Sequence, residues 1–127
     1  SNELYDSTCG SAVALAEELM EEILSKPFHD PDGASTPGPE AGEVSRSAFD
    51  NVDDYDGYSE DSGALADVDG NVASDAMSAG LRRTVSVDYV YVGGQDTSAT
   101  PTFARVTVEM QLGGRTIVSL CRLVYDL

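Results

Sequence analysis

Six carboxylates, Asp50, Asp53, Asp54, Asp56, Glu60 and Asp61, fall within the run FDNVDDYDGYSED, which has no basic residue. Hard cations bind clustered carboxylate and carbonyl oxygens, so a bound Ca2+ is the chemistry this run would support. A second stretch, DVDGN from Asp67 to Asn71, adds further oxygens. Neither stretch fits an EF-hand. With Gly57 as the loop glycine, Val52 falls at the first ligand position and Gly63 at the twelfth; with Gly70 they are Leu65 and Ala76. A charge run is more often a solvated face than a cage. The six residues therefore carry two readings, a calcium site and a solvated loop, and the second is the commoner.

Other chemistry is thinly represented. The one histidine, His29, sits among prolines in PFHDPDG and reads as a solvated loop residue. Any Cys-His or triad arrangement would have to rest on it, and neither cysteine is expected nearby. The sequence holds no G-x-S-x-G, no Walker loop, no G-x-G-x-x-G and no H-E-x-x-H. Paired acids for glycoside chemistry need a sugar platform, and there is no Trp. These residues do not point to an enzyme.

The elements that would position the acids follow from composition and period. At 127 residues the chain fits a single domain with one modest core. Its net charge of −16 argues against nucleic acid and anionic membrane as partners. The charge is uneven: residues 28–80 hold thirteen acids and only Arg46, while residues 81–127 hold four acids and five arginines. No apolar run reaches the roughly 18 residues that a bilayer span needs, and no signal peptide is visible. The abrupt Ser1-Asn2 start, running almost directly into helix, is what a truncated soluble domain would show.

Three zones follow: a helix over about 3–26, an acidic loop region over about 28–80, and a β-meander over about 81–127. In the first, Tyr5, Cys9, Ala12, Val13, Ala16, Leu19, Met20 and Ile23 recur at three- and four-residue steps, which predicts one apolar face. Glu17, Glu18, Glu21 and Glu22 are expected on the solvent side. Pro27 ends the helix, because proline lacks the N–H and disfavours helix in the residue before it. Nothing stops it at its N-terminal end, so it is expected to continue upstream in an intact protein. In the middle zone HDPDGASTPGPEAG is a succession of turn signals. Phe49, Val52 and Tyr55 are expected to tack this long loop onto the body.

In the third zone the period becomes two. TVSVDYVYV places Val85, Val87, Tyr89 and Tyr91 on one face, and FARVTVEMQL places Ala104, Val106, Val108, Met110 and Leu112 on one face. The longer GGQDTSATPT joins these two strands. Gly113-Gly114 before RTIVSLCRLVY signals a tight hairpin, since two-residue turns need φ > 0. A plain two-residue loop opposes 112 with 115, 110 with 117, 108 with 119, 106 with 121 and 104 with 123. Cys121 then joins Met110, Ile117 and Val106 on the apolar face, and the helix stripe is the obvious cover. Cys9 lies on that stripe. In an oxidising compartment Cys9 and Cys121 would bridge helix to sheet; otherwise they are two buried thiols acting as small hydrophobes.

This layout resembles type IV pilin-like subunits. ALAEELMEEILSKPFHDP is similar to the helix end of minor pilins and of minor pseudopilins of the type II secretion system. The matching residues are Ala14, Leu15, Ala16, Met20, Glu21, Glu22, Pro27 and Phe28. FDNVDDYDGYSE resembles a segment after the helix in mannose-sensitive haemagglutinin-type minor pilins, and ARVTVEMQLGGRTIVSLCRLV resembles their closing hairpin. The family's basic leader, its cleavage site and its stretch of about 20 apolar residues do not occur in this chain.

The resemblance implies an α+β, pilin-like fold, with one long helix on an antiparallel meander of at least three strands. It implies a structural subunit in filament assembly or in tip and surface contacts, not an enzyme. Its partners would be other pilin or pseudopilin subunits, and the inner membrane through an N-terminal helix. The head would be periplasmic or extracellular. The competing reading is a secreted or periplasmic calcium-dependent binding module with no filament role.

Overall fold

A computed structural model describes residues 2–28, 46, 49–67, 69–73, 78–90 and 103–125, and for residues 2–7 the backbone alone. His29, the turn-rich stretch 29–45, Tyr91 and the connection 91–102 lie outside the described residues, as does the side chain of Tyr5.

Helix α1 spans Asn2–Leu24, about 35 Å at roughly 1.5 Å per residue. It unwinds just before Pro27, where Ser25 N–H reaches back to the Glu21 carbonyl and Lys26 N–H to that of Ile23. Ala12, Ala16, Leu19, Met20 and Ile23 are buried as their spacing predicts. Two positions differ from expectation. Val13 lies at the edge of the stripe and is exposed, while Leu15 packs partly against the core.

The sheet has four antiparallel strands in the order β1-β2-β3-β4: β1 Ser59–Glu60, β2 Leu81–Val90, β3 Phe103–Leu112 and β4 Arg115–Tyr125. The fold is therefore α+β, one helix packed on an antiparallel sheet, chiefly against β3 and β4. Alternation in β2 and β3 sends Leu81, Val85, Val87, Ala104, Val106, Val108 and Met110 into the core, β3 beneath the helix and β2 against residues 52–55. Each fully buried Val, Leu or Met contributes about 1.5–3 kcal/mol relative to exposure. The outward positions Thr84, Ser86, Asp88, Arg105, Thr107 and Glu109 are partly or fully exposed, as befits a sheet covered on one side.

The β3–β4 hairpin corrects the expected register. Gly113 and Gly114 both take positive φ, +60° and +78°, which makes the two-residue turn. Leu112 then opposes Arg115 and Gln111 opposes Thr116, but Met110 opposes Val118 because of an irregularity between Met110 and Gln111. One extra residue on β4 exchanges the faces of everything after it. Val118, Leu120 and Val124 join the core, and Cys121 opposes Thr107 on the other face. Cys121 is exposed, both thiols are free, and the Cys9–Cys121 bridge is not formed.

Candidate functional site

The densest chemistry lies where the end of α1, the acidic run and β2 meet. Arg83 shares the inward parity of Leu81 and Val85 and has no exposed surface. β1 places Glu60 directly opposite it. Arg83 Nε and Nη2 both donate to Glu60 Oε1. Nη2 also donates to the Ala66 carbonyl at 2.7 Å, and Nη1 to the Leu15 carbonyl of α1 at 2.9 Å. Glu60 Oε2 accepts the Ala66 N–H at 2.8 Å and lies 3.3 Å from Arg46 Nη1.

Arg46 carries the network on to the helix. Its Nε and Nη2 donate to the Glu22 carboxylate at 2.9 and 2.5 Å, and its Nη1 to the Ala66 carbonyl at 2.5 Å. Tyr55 O–H completes the set by donating to Glu22 Oε2 at 2.6 Å. Two guanidinium groups and two carboxylates thus join one helix, two strands and two loop segments. Buried ions cost several kcal/mol each in lost hydration, and mutual pairing with filled hydrogen-bond capacity offsets that cost.

Glu22 is therefore not a solvent-face residue, as helical spacing alone had it. Burial raises its carboxyl pKa, but the hydrogen bonds from Arg46 and Tyr55 and the charge of Arg46 outweigh that and hold it below the ordinary value. Burial and the neighbouring Glu22 carboxylate push the Tyr55 phenol well above its ordinary range. Phe49, Tyr55 and Tyr58 pack edge to face with centroids 4.9, 5.8 and 6.4 Å apart. The expected anchors Phe49, Val52 and Tyr55 are all buried.

The remaining acids of the run are used locally. A 3-10 helix, Val52–Tyr55, is tied to the exit of α1 by Val52 N–H to the Pro27 carbonyl at 3.1 Å. Asp54 Oδ2 accepts the N–H groups of Asp50 and Asn51 at 2.9 and 3.3 Å. Asp53 accepts Asn51 Nδ2 at 2.8 Å on one oxygen and Tyr89 O–H at 2.6 Å on the other. Burial and Asp53 raise the Tyr89 pKa. Asp56 Oδ1 accepts Val87 N–H at 2.8 Å, so a carboxylate serves the edge of β2 beyond the end of β1. Asp61, exposed like Asp56, forms a solvent-facing pair with Arg82.

The six acids do not converge on one point. Among the described residues no group of three or more His, Cys, Asp or Glu is placed to hold a metal ion. Asp50 Oδ1 and Asn51 Oδ1 are buried with no hydrogen-bond partner among the described residues. Of the acids expected at a calcium site, Asp50, Asp53, Asp54, Asp56, Glu60 and Asp61, all but Asp50 have carboxylate oxygens bonded to backbone, amide, tyrosine or arginine groups. The sequence reading missed Arg46, Arg83 and Tyr89. Two signals were present: Arg83 stands at an inward position of a period-two strand, and Arg46 is the sole base among the thirteen acids of residues 28–80.

Among the described residues no helix is long and apolar enough to cross a membrane. No family model, curated protein or solved structure matches this chain.

Proposed function

We propose that the chain is the globular head of a filament subunit of the minor pilin or pseudopilin type, serving a type IV pilus or a type II secretion filament. One observation supports this reading above others. A single 23-residue helix lies along an antiparallel meander, and a clamp of buried ion pairs locks its C-terminal end to the sheet. Such an arrangement suits a rod that must carry load into a rigid head. In this reading the helix extends upstream into an apolar segment. That segment anchors the subunit in the inner membrane before assembly and packs against other subunits' helices afterwards. The head works on the periplasmic or extracellular side, its partners are other pilin or pseudopilin subunits, and it is not a catalyst.

The test is to sequence the intact gene upstream of Ser1 and to fractionate cells that express it. The expected result is a short basic leader, a cleavage site and about 20 apolar residues, with the processed protein recovered in the inner membrane. A cleavable signal peptide joined directly to this domain, with fully soluble product, would overturn the reading.

A further inference from the structure

We infer that a cleft between α1 and residues 65–67 and 71–73 receives a lysine or arginine side chain from a protein partner. The cleft encloses about 330 Å³ and is lined by Leu15, Glu18, Leu65, Asp67, Asn71 and Val72, among others. That volume is at the lower end of ligand sites, which run from about 300 to 1,000 Å³, and suits one long side chain. Leu65 is buried, Leu15 partly buried and Val72 54% exposed, so the walls offer apolar surface to a methylene stem.

The polar groups have the opposite sign to the proposed guest. Glu18 is half exposed, and its carboxylate lies 3.8 Å from Arg83 Nη1, beyond hydrogen-bond reach. The arginine beneath is already committed, its donors going to Glu60, Ala66 and Leu15. Asp67 Oδ1 accepts the N–H groups of Asp69 and Asn71, both at 2.9 Å, which fixes the carboxylate in place. Among the described residues its Oδ2 meets Asn71 Nδ2 at the long distance of 3.4 Å. The backbone hydrogen bond from Asn71 leads the effects that hold the Asp67 pKa below its ordinary value, so the group stays charged. Two anionic groups thus sit at the edge of an apolar cleft on a chain of net charge −16, a field that draws cationic side chains toward it. The inference stands apart from the filament reading, because any basic partner surface would satisfy it.

The test is a 15N–1H NMR titration with N-acetyl-L-arginine amide and N-acetyl-L-lysine amide, with N-acetyl-L-norleucine amide as the uncharged control. Saturable shifts are expected at residues 15, 18, 65–67 and 69–73 with the two basic probes, and much smaller ones with the control. The double variant Glu18→Gln, Asp67→Asn should weaken binding roughly fivefold. It keeps side-chain volume and the Asp67 turn acceptor, and an otherwise unchanged spectrum shows that it is folded. Equal response to norleucine, unsaturable shifts spread evenly over Glu17, Glu21 and Asp61, or an unaffected double variant would each overturn the proposal. Cleft shifts that follow protein concentration without probe would place a second copy there instead, and would also overturn it.

Discussion

Strands β3 and β4 are joined by a backbone ladder broken once, between Met110 and Gln111, and the side chains they pack into the core are apolar. Residues 49–66 reach the same core with almost no ladder. β1 contributes two residues, and the rest is held by Asp53, Asp54, Asp56 and Glu60 bonding to tyrosine, backbone and arginine. In the hairpin the strand period repeats, and one side chain more or less changes local packing. In the acidic segment Asp53, Asp54, Asp56 and Glu60 each hold separate partners, so each loss strands a different group. Acid density therefore says little about exposure. Asp54 and Asp61 belong to the same run, yet one is fully buried and the other lies in an exposed pair.

The contrast can be broken from either side. Arg83→Ala should have the largest effect, a loss of about 4 kcal/mol in urea unfolding, because Glu60 is left buried with its charge poorly compensated. Met110→Ala in the hairpin should cost about 3 kcal/mol, the ordinary cost of a buried cavity. A reversal of that order would place the stability of the molecule in the ladder alone.

Acid should weaken the clamp before the hairpin. The folded-state pKa of Glu22 lies below its ordinary value of 4.5. Its contribution is complete above that pH and is lost as pH falls through the lower folded value. The raised pKa values of Tyr55, Tyr58 and Tyr89 act on the alkaline side. Their contributions are complete below their ordinary value of 10.0 and are lost as pH rises through the folded values. Urea midpoints from pH 7 to pH 3 should fall in the parent. They should fall less steeply in Arg46→Met, which lacks the group that lowers the Glu22 pKa.

The smaller effects sharpen the same comparison. Tyr89→Phe removes one hydrogen bond to Asp53 and should cost about 1–1.5 kcal/mol. Millimolar calcium should move the melting temperature by less than about 1 °C, since five of the six carboxylates that would bind it hold protein groups.

What could be read beforehand follows the same division. The helix stripe, the glycine turn and the inward faces of β2 and β3 are periodic signals, and Leu19, Val85 and Val108 lie where their spacing put them. The bulge near Met110 is one residue long and breaks no pattern in RTIVSLCRLVY, so the face of Cys121 could not be counted out. The clamp depends on pairs such as Arg83 with Leu15 and Glu22 with Arg46, which are 68 and 24 positions apart. Period carries no information about such pairs, and a carboxylate reads alike whether it faces water or a guanidinium.

Glu60→Gln removes one charge from the middle of the network and leaves volume and an acceptor oxygen in place. Urea unfolding at pH 7 should show a loss of about 3 kcal/mol, since the buried Arg83 then loses its paired charge and is left 3.8 Å from the half-exposed Glu18, while Arg46 keeps Glu22. A change within about 0.5 kcal/mol, the range of a surface substitution, would return the acidic run to a solvated loop and contradict the account.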